Sequence, residues 1–227
     1  MAYSNLADPW TEWIGAFDWR KARRMVDQVP VMELVSDGEH FRRIVQEGIC
    51  RARVSIDIMT ADFKAMLVPD GSRRRAKSII EIFRNLADKG VEIRILHAGV
   101  PSSAALIELK QQLPERLSIR RCPRLHSKAV VIDAAGAYFG SANLTGAGLG
   151  AKADGRRNFE LGVWTTSIET IDRIMNEFNL LWEGQHCETC KRREICPEPL
   201  EEPKLMPVTP RAGPFPSASS RRPDAPE

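Results

Sequence analysis

Between residues 31 and 182, short apolar runs rich in valine and isoleucine alternate with longer stretches carrying apolar residues at helical spacing, and no other feature limits the possible folds so strongly. The apolar runs at 31–35, 54–60, 91–96, 117–121, 125–132, 138–140 and 159–165 predict strands, with period-two alternation in 54–60. The intervening stretches predict helices over 38–51, 74–88, 102–112 and 168–182. Gly90 is placed to stop the second of these, and the last carries Ile171, Ile174, Met175, Phe178 and Leu181 on one face. Strands alternating with helices of this length predict an α/β domain whose sheet is covered by helices on both faces.

The two ends of the chain differ from this core. Residues 8–29 open with Asp8 as a helix cap and Pro9 in the first turn, then place Trp10, Trp13, Ile14 and Phe17 at helical spacing. Such an aromatic face packs either on the domain's own core or on a partner. From Pro197 onward lie nine of the chain's fifteen prolines and few large apolar residues, so 198–227 is expected to be disordered. The expected organisation is an N-terminal helix in 1–30, a catalytic domain in 31–184, a cysteine-rich element in 185–197 and the proline-rich tail.

The chemistry concentrates in His126-Ser127-Lys128, followed by Asp133 and by Gly140-Ser141-Ala142-Asn143. If 125–132 is one strand, its period of two brings His126 and Lys128 onto the same face. Imidazole can act near neutral pH as nucleophile, base or acid, and a neighbouring ammonium can hold the oxygens of a phosphate undergoing displacement. That pairing calls for no catalytic metal.

The spacing His-x-Lys, four residues, Asp, six residues, Gly-Ser resembles the signature of the phospholipase D superfamily, and it continues through Asn143-Leu144-Thr145 to Asn158-Phe159-Glu160-Leu161-Gly162-Val163. Lys89-Gly90-Val91 and the run to Leu96 resemble a helix-to-strand turn of that fold, and the likeness covers about residues 32–183. It implies an αβα sandwich with a mixed sheet. It also implies a phosphodiesterase in which two His-x-Lys motifs meet, one histidine attacking phosphorus and the other protonating the leaving oxygen. Only His126 has a lysine two residues on, whereas His40, His97 and His186 do not. The implied active form is therefore a homodimer with the two His126 side chains face to face. By the same resemblance Lys128, Asn143 and Ser141 hold phosphate oxygens, and Glu160 accepts from the second ring nitrogen of His126. Asp133, counted with the catalytic set, is expected to support the loop and the surroundings of Lys128.

Net charge is only +3 over 227 residues, so local clusters matter more than the total. Arginines 20, 23 and 24 with Lys21, and arginines 73 to 75 with Lys77, suit solvated faces. Arg116, Arg120, Arg121 and Arg124, with Arg156 and Arg157, flank the motif and suit a polyanion. The Gly-rich 146–157 insert that ends in the last pair is either a mobile surface loop or a substrate-gripping one.

The first fifteen residues contain Asp8, Glu12 and no apolar run, so neither a signal peptide nor a membrane anchor is expected there, and a cytoplasmic location follows. Five cysteines, an odd number, argue for thiols or metal ligands over a disulfide framework. Cys187-x2-Cys190-x5-Cys196 has the spacing of a structural metal staple, and it resembles the C-terminal three-cysteine iron–sulfur element of some RecB-type nucleases. Cys50, Cys122 or His186 could supply a fourth ligand, to zinc as well as to iron–sulfur. Nucleic acid is the expected substrate. The alternatives are a phospholipid phosphodiesterase or phosphatidyl transferase, and a nucleic-acid-binding assembly subunit with vestigial activity.

Overall fold

The computed structural model describes residues 31–69, 76–99, 113–192 and 195–196. The aromatic helix at 8–29, the arginines at 73–75, the helix at 102–112 and the tail at 198–227 lie outside the described residues.

Seven strands form one mixed sheet: β1 (Met32–Ser36), β2 (Ser55–Thr60), β5 (Glu92–His97), β6 (Leu117–Arg121), β7 (Ala129–Ile132), β8 (Gly136–Gly140) and β9 (Leu161–Thr165). Their order is β1-β9-β8-β7-β2-β5-β6. β2, β5 and β6 run parallel, and every other neighbouring pair is antiparallel. A separate two-stranded antiparallel sheet pairs β3 (Leu67–Pro69) with β4 (Ala76–Ser78).

Helices cover both faces. α1 (Ile79–Ala87) turns Ile79, Ile80, Phe83 and Leu86 onto Ile56, Ile58, Ile93 and Ile95 of the sheet. The short π-helical segment Phe41–Gln46 adds Ile44 and Val45 to that layer. On the opposite face α2 (Ile168–Trp182) lays Phe178 and Trp182 on Met59, Leu96 and Ala129. Beneath α2 the buried Asp57 takes a bidentate pair of hydrogen bonds from Arg94 at 2.7 and 2.8 Å, and Asn179 accepts a third at 3.1 Å. Truncating Phe83 or Phe178 to alanine would cost about 3–5 kcal/mol each by the usual cavity scale.

Several expected boundaries move for physical reasons. The strand at 54–60 is buried on both faces instead of alternating, because β2 is central and helices lie above and below it. The helix expected from residue 74 starts at Ile79, where the Ser78 hydroxyl accepts from the Ile80 N–H at 3.1 Å and β4 occupies the residues before it. The helix expected over 38–51 is divided at Gly48 into the π-helical segment and a single 3₁₀ turn, Ile49–Arg51. At the other end of α1, Gly90 adopts φ +97°, and the Val91 N–H bonds the Leu86 carbonyl, which closes the helix as expected.

The strand expected over 125–132 is only Ala129–Ile132. Its antiparallel partner β2 pairs no further than Met59 opposite Ala129, and beyond Thr60 the chain bends toward Asn143. Residues 125–128 thus have no partner on the β2 side, while on the β8 side the Gly140 N–H donates to the Lys128 carbonyl at 3.2 Å. Among the described residues no helix is long and apolar enough to cross a membrane.

Candidate active site

The motif residues other than Asp133 gather at one end of the sheet, where β2, β5 and β8 finish and β7 and β9 begin. Although 126–128 is not strand, His126 and Lys128 still meet, because Lys128 folds back. Its Nζ donates to the His126 carbonyl at 2.6 Å and lies 3.4 Å from both ring nitrogens. His126 is exposed, so its ring is open to a bulky substrate.

Asn143 is fixed by the end of β2. Its Oδ1 accepts from the Ala61 N–H at 3.0 Å and the Asp62 N–H at 3.1 Å, which orients the carboxamide and leaves its NH₂ as the group able to donate outward. Ser141 donates to Glu160 Oε2 and accepts from the Leu161 N–H at 3.0 Å. Asn158 donates to Glu160 Oε1 at 3.0 Å. Asp37, at φ +43°, accepts from the Glu160 N–H at 3.0 Å through its carboxylate, while its own N–H donates to the Glu160 carbonyl at 2.9 Å.

The expected bond from Glu160 to His126 of the same chain is not found among the described residues. In the order β9-β8-β7, β8 lies between the strand that follows Glu160 and the strand that follows His126, and the Glu160 carboxylate is bonded instead by Ser141 and Asn158. Asp133 does not join the site either. It lies at the opposite end of β7, in the β7–β8 turn, where its carboxylate accepts from the Arg53, Val54 and Ser55 N–H groups at 2.7 to 3.1 Å. There it holds the start of β2, with no contact to Lys128.

Of the arginines, Arg124 and Arg156 are exposed. Arg157 pairs with Asp154 and lies against Gly38, so it is committed to the scaffold. Arg120 donates to the Trp182 carbonyl at 2.7 Å, and Arg116 pairs with Glu92, so neither is a spare cation. The 146–157 insert is anchored: Leu149 is buried, and the Asn158 N–H donates to the Ala147 carbonyl at 3.1 Å.

A buried network below Ser141 and Asn143 escaped the sequence reading. His40 Nδ1 bonds the Asp37 carbonyl at 2.9 Å, and its Nε2 bonds the Tyr138 hydroxyl at 3.0 Å. That hydroxyl in turn accepts from the Ala142 N–H at 3.1 Å. With Nδ1–H donating, the neutral ring accepts the Tyr138 proton. Burial holds His40 below its ordinary value and pushes Tyr138 up to about 12. Gly140 and Gly162 face each other across β8 and β9, and a Cβ on Gly162 would stand 2.3 Å from the Tyr138 ring. The Asp37-Gly38 turn pair and the period-two relation of Tyr138 to Gly140 were the available sequence signals.

Beside His126 opens a cavity of about 210 Å³, lined also by Cys122, Arg124, Cys187, Cys190 and Cys196. Cys50 lies on a different cavity with Lys77 and Leu86.

The family model described as cardiolipin synthase, PLD-like domain, matches residues 45–182, which include His126, Lys128, Asn143 and Glu160. The chain belongs to the phospholipase D-like family. Membership places it among the phospholipase D superfamily phosphodiesterases. Solved structures of similar fold include Nuc, a phospholipase D family member from Salmonella typhimurium, at 19% identity and TM-score 0.52, covering 68% of this chain and 95% of that one. NucT from Helicobacter pylori is similar at 17% identity and TM-score 0.52, covering 68% and 97%. A phosphatidylserine synthase from Haemophilus influenzae Rd KW20 matches at 12% identity and TM-score 0.48, covering 68% and 39%. No curated protein matches the sequence. The phospholipase D-like match ends before Cys187, so the cysteine-rich element is not covered by it.

Proposed function

We propose that this phospholipase D-like protein hydrolyses phosphodiester bonds of nucleic acid through a phosphohistidine on His126. The observation that carries the reading is the meeting of the His126 ring and the Lys128 ammonium at an open sheet end. A ring nitrogen of one His126 bonds to phosphorus while the bond to the leaving sugar oxygen breaks, and that oxygen takes a proton from a second imidazolium. The second imidazole, now neutral, removes a proton from water as the water attacks phosphorus and the N–P bond breaks. Lys128 supplies the positive charge that balances the phosphoryl oxygens, so the reaction persists in chelator.

Each chain holds one His-x-Lys histidine: His40 and His97 are buried, and His186, exposed on the same cavity, has no lysine two residues on, so a homodimer supplies the second. Exposed Arg124, on the cavity beside His126, and exposed Arg156, four residues before Glu160, suit phosphates of a polynucleotide. Purified protein in EDTA should cleave labelled DNA or RNA, more weakly as salt rises. Reversing Arg124 and Arg156 to Glu should weaken binding while a small diester still turns over. Mixed dimers of wild-type and His126→Ala protomers should be inactive or nearly so.

One observation favours a phospholipid substrate instead. Phe159, next to Glu160, is 96% exposed, and Leu161, Leu34 and Met32 continue an exposed apolar strip along β9 and β1. Turnover of phosphatidyl lipid vesicles with none of DNA or RNA would establish that reading.

A further inference from the structure

Beyond α2 the chain folds back onto the loop that carries His126. Arg120 reaches the Trp182 carbonyl, and Arg192 donates to the Pro123 carbonyl at 3.2 Å, so the two segments are tied at both ends of their contact. Cys122 opens the loop: its N–H donates to the His97 carbonyl at 2.8 Å, and its carbonyl accepts from Leu125 at 2.9 Å. Across the cavity, the Cys190 N–H donates to the Cys187 carbonyl at 3.2 Å, which places that pair on one tight turn. A second turn, from Ile195 to Arg192, directly precedes Cys196.

Four cysteines from two distant parts of the sequence therefore line one cavity. At about 210 Å³, and partly open to solvent, it has room for a metal ion. Cys50 is removed from consideration by its place on another cavity. His186 also borders this one, but it is adjacent to Cys187, and neighbouring side chains diverge.

We propose that Cys122, Cys187, Cys190 and Cys196 bind a thiolate-coordinated metal centre, zinc or an iron–sulfur cluster, that clamps the 122–128 loop and with it His126. Each thiol gives up its proton as its sulfur–metal bond forms; for a cluster, iron and inorganic sulfide are the co-reactants. Among the described residues no three metal-binding side chains already stand as a ligand set, so binding draws the two turns together. Because the ligands come from both sides of the contact, the bound metal adds to the stability of the folded state.

The test needs no substrate, so its outcome is independent of the proposed phosphodiester chemistry. The full chain is purified without air or chelator, and zinc, iron and sulfide are measured. X-ray absorption at the metal edge counts sulfur neighbours in the wild type, which keeps the assignment testable if a variant misfolds. The expected result is about one zinc, or iron with matching sulfide, per chain with four sulfurs at about 2.3 Å. Cys122→Ser and Cys190→Ser should lose the metal and Cys50→Ser keep it, and hydrogen exchange in 122–128 should rise when it is lost. Failure of the wild type to hold metal after reconstitution with zinc, or with iron and sulfide, would overturn the proposal. So would full metal content in Cys122→Ser, or a shell of three sulfurs and one nitrogen that His186→Ala abolishes.

Discussion

The Lys128 ammonium lies 3.4 Å from both ring nitrogens of His126 and donates to the carbonyl of the same residue, so the cation is held beside the proposed nucleophile by that residue's own backbone. In the proposed mechanism a phosphate reaching the ring meets the charge that stabilises its displacement. His126→Ala should remove activity to background with the fold intact, as circular dichroism would check. Lys128→Ala should lower kcat by about 10²–10³, the scale of one oxyanion donor. A folded His126→Ala protein with substantial activity would contradict the assignment.

Asp133 separates stability from chemistry. Two consecutive non-glycine residues, Asp133 and Ala134, take left-handed φ of 53° and 49°, and the carboxylate collects three backbone N–H groups of 53–55. Asp133→Ala should cost about 1 kcal/mol in urea unfolding, because three backbone N–H groups at the solvent-facing start of β2 lose a charged acceptor that water replaces only in part. Its kcat, measured well below the melting temperature, should stay close to wild type.

The floor of the site is set by contact between Gly162 and Tyr138. A Cβ at Gly162 has no room beside the ring, so Gly162→Ala should destabilise by about 1–3 kcal/mol. Since it displaces the Tyr138 hydroxyl from the Ala142 N–H, activity should fall as well. Tyr138→Phe, which keeps the ring, should lose stability through the unpaired His40 and Ala142 groups. Differential calorimetry and turnover on the same samples would compare the two.

Two buried histidines make stability depend on pH. Burial lowers His40 and His97 from their ordinary value of 6.5, so between that value and the depressed folded one the unfolded chain binds more protons than the native protein. Stability is therefore fully present above about 6.5 and declines as pH falls below it. Melting temperature against pH should show this decline, and His40→Gln should flatten it in part, with His97 responsible for the rest.

The fold was legible where one residue type has one physical use. Gly90 ended α1 where expected, and the apolar spacing of α2 located Ile168–Trp182 within its true limits. The start of α1 was also written in Ser78 and Glu81, a capping pattern that the longer basic run before it obscured. What sequence could not carry was distance across the sheet. The strand order that puts β8 between Glu160 and His126 is a tertiary fact, as is the buried bond between His40 and Tyr138, 98 positions apart. Likewise, the choice between Cys50 and Cys122 as companion to the C-terminal cysteines depends on which cavity each one lines, and spacing holds no information on that.

The most direct test of the account is an acid-free denaturing quench during turnover of a phosphodiester in EDTA, followed by mass analysis of the peptide containing His126. A phosphoryl adduct on His126 that forms and decays at rates compatible with turnover is the predicted result. Turnover with no adduct on that peptide, at time points where the intermediate should accumulate with a good leaving group, would contradict it.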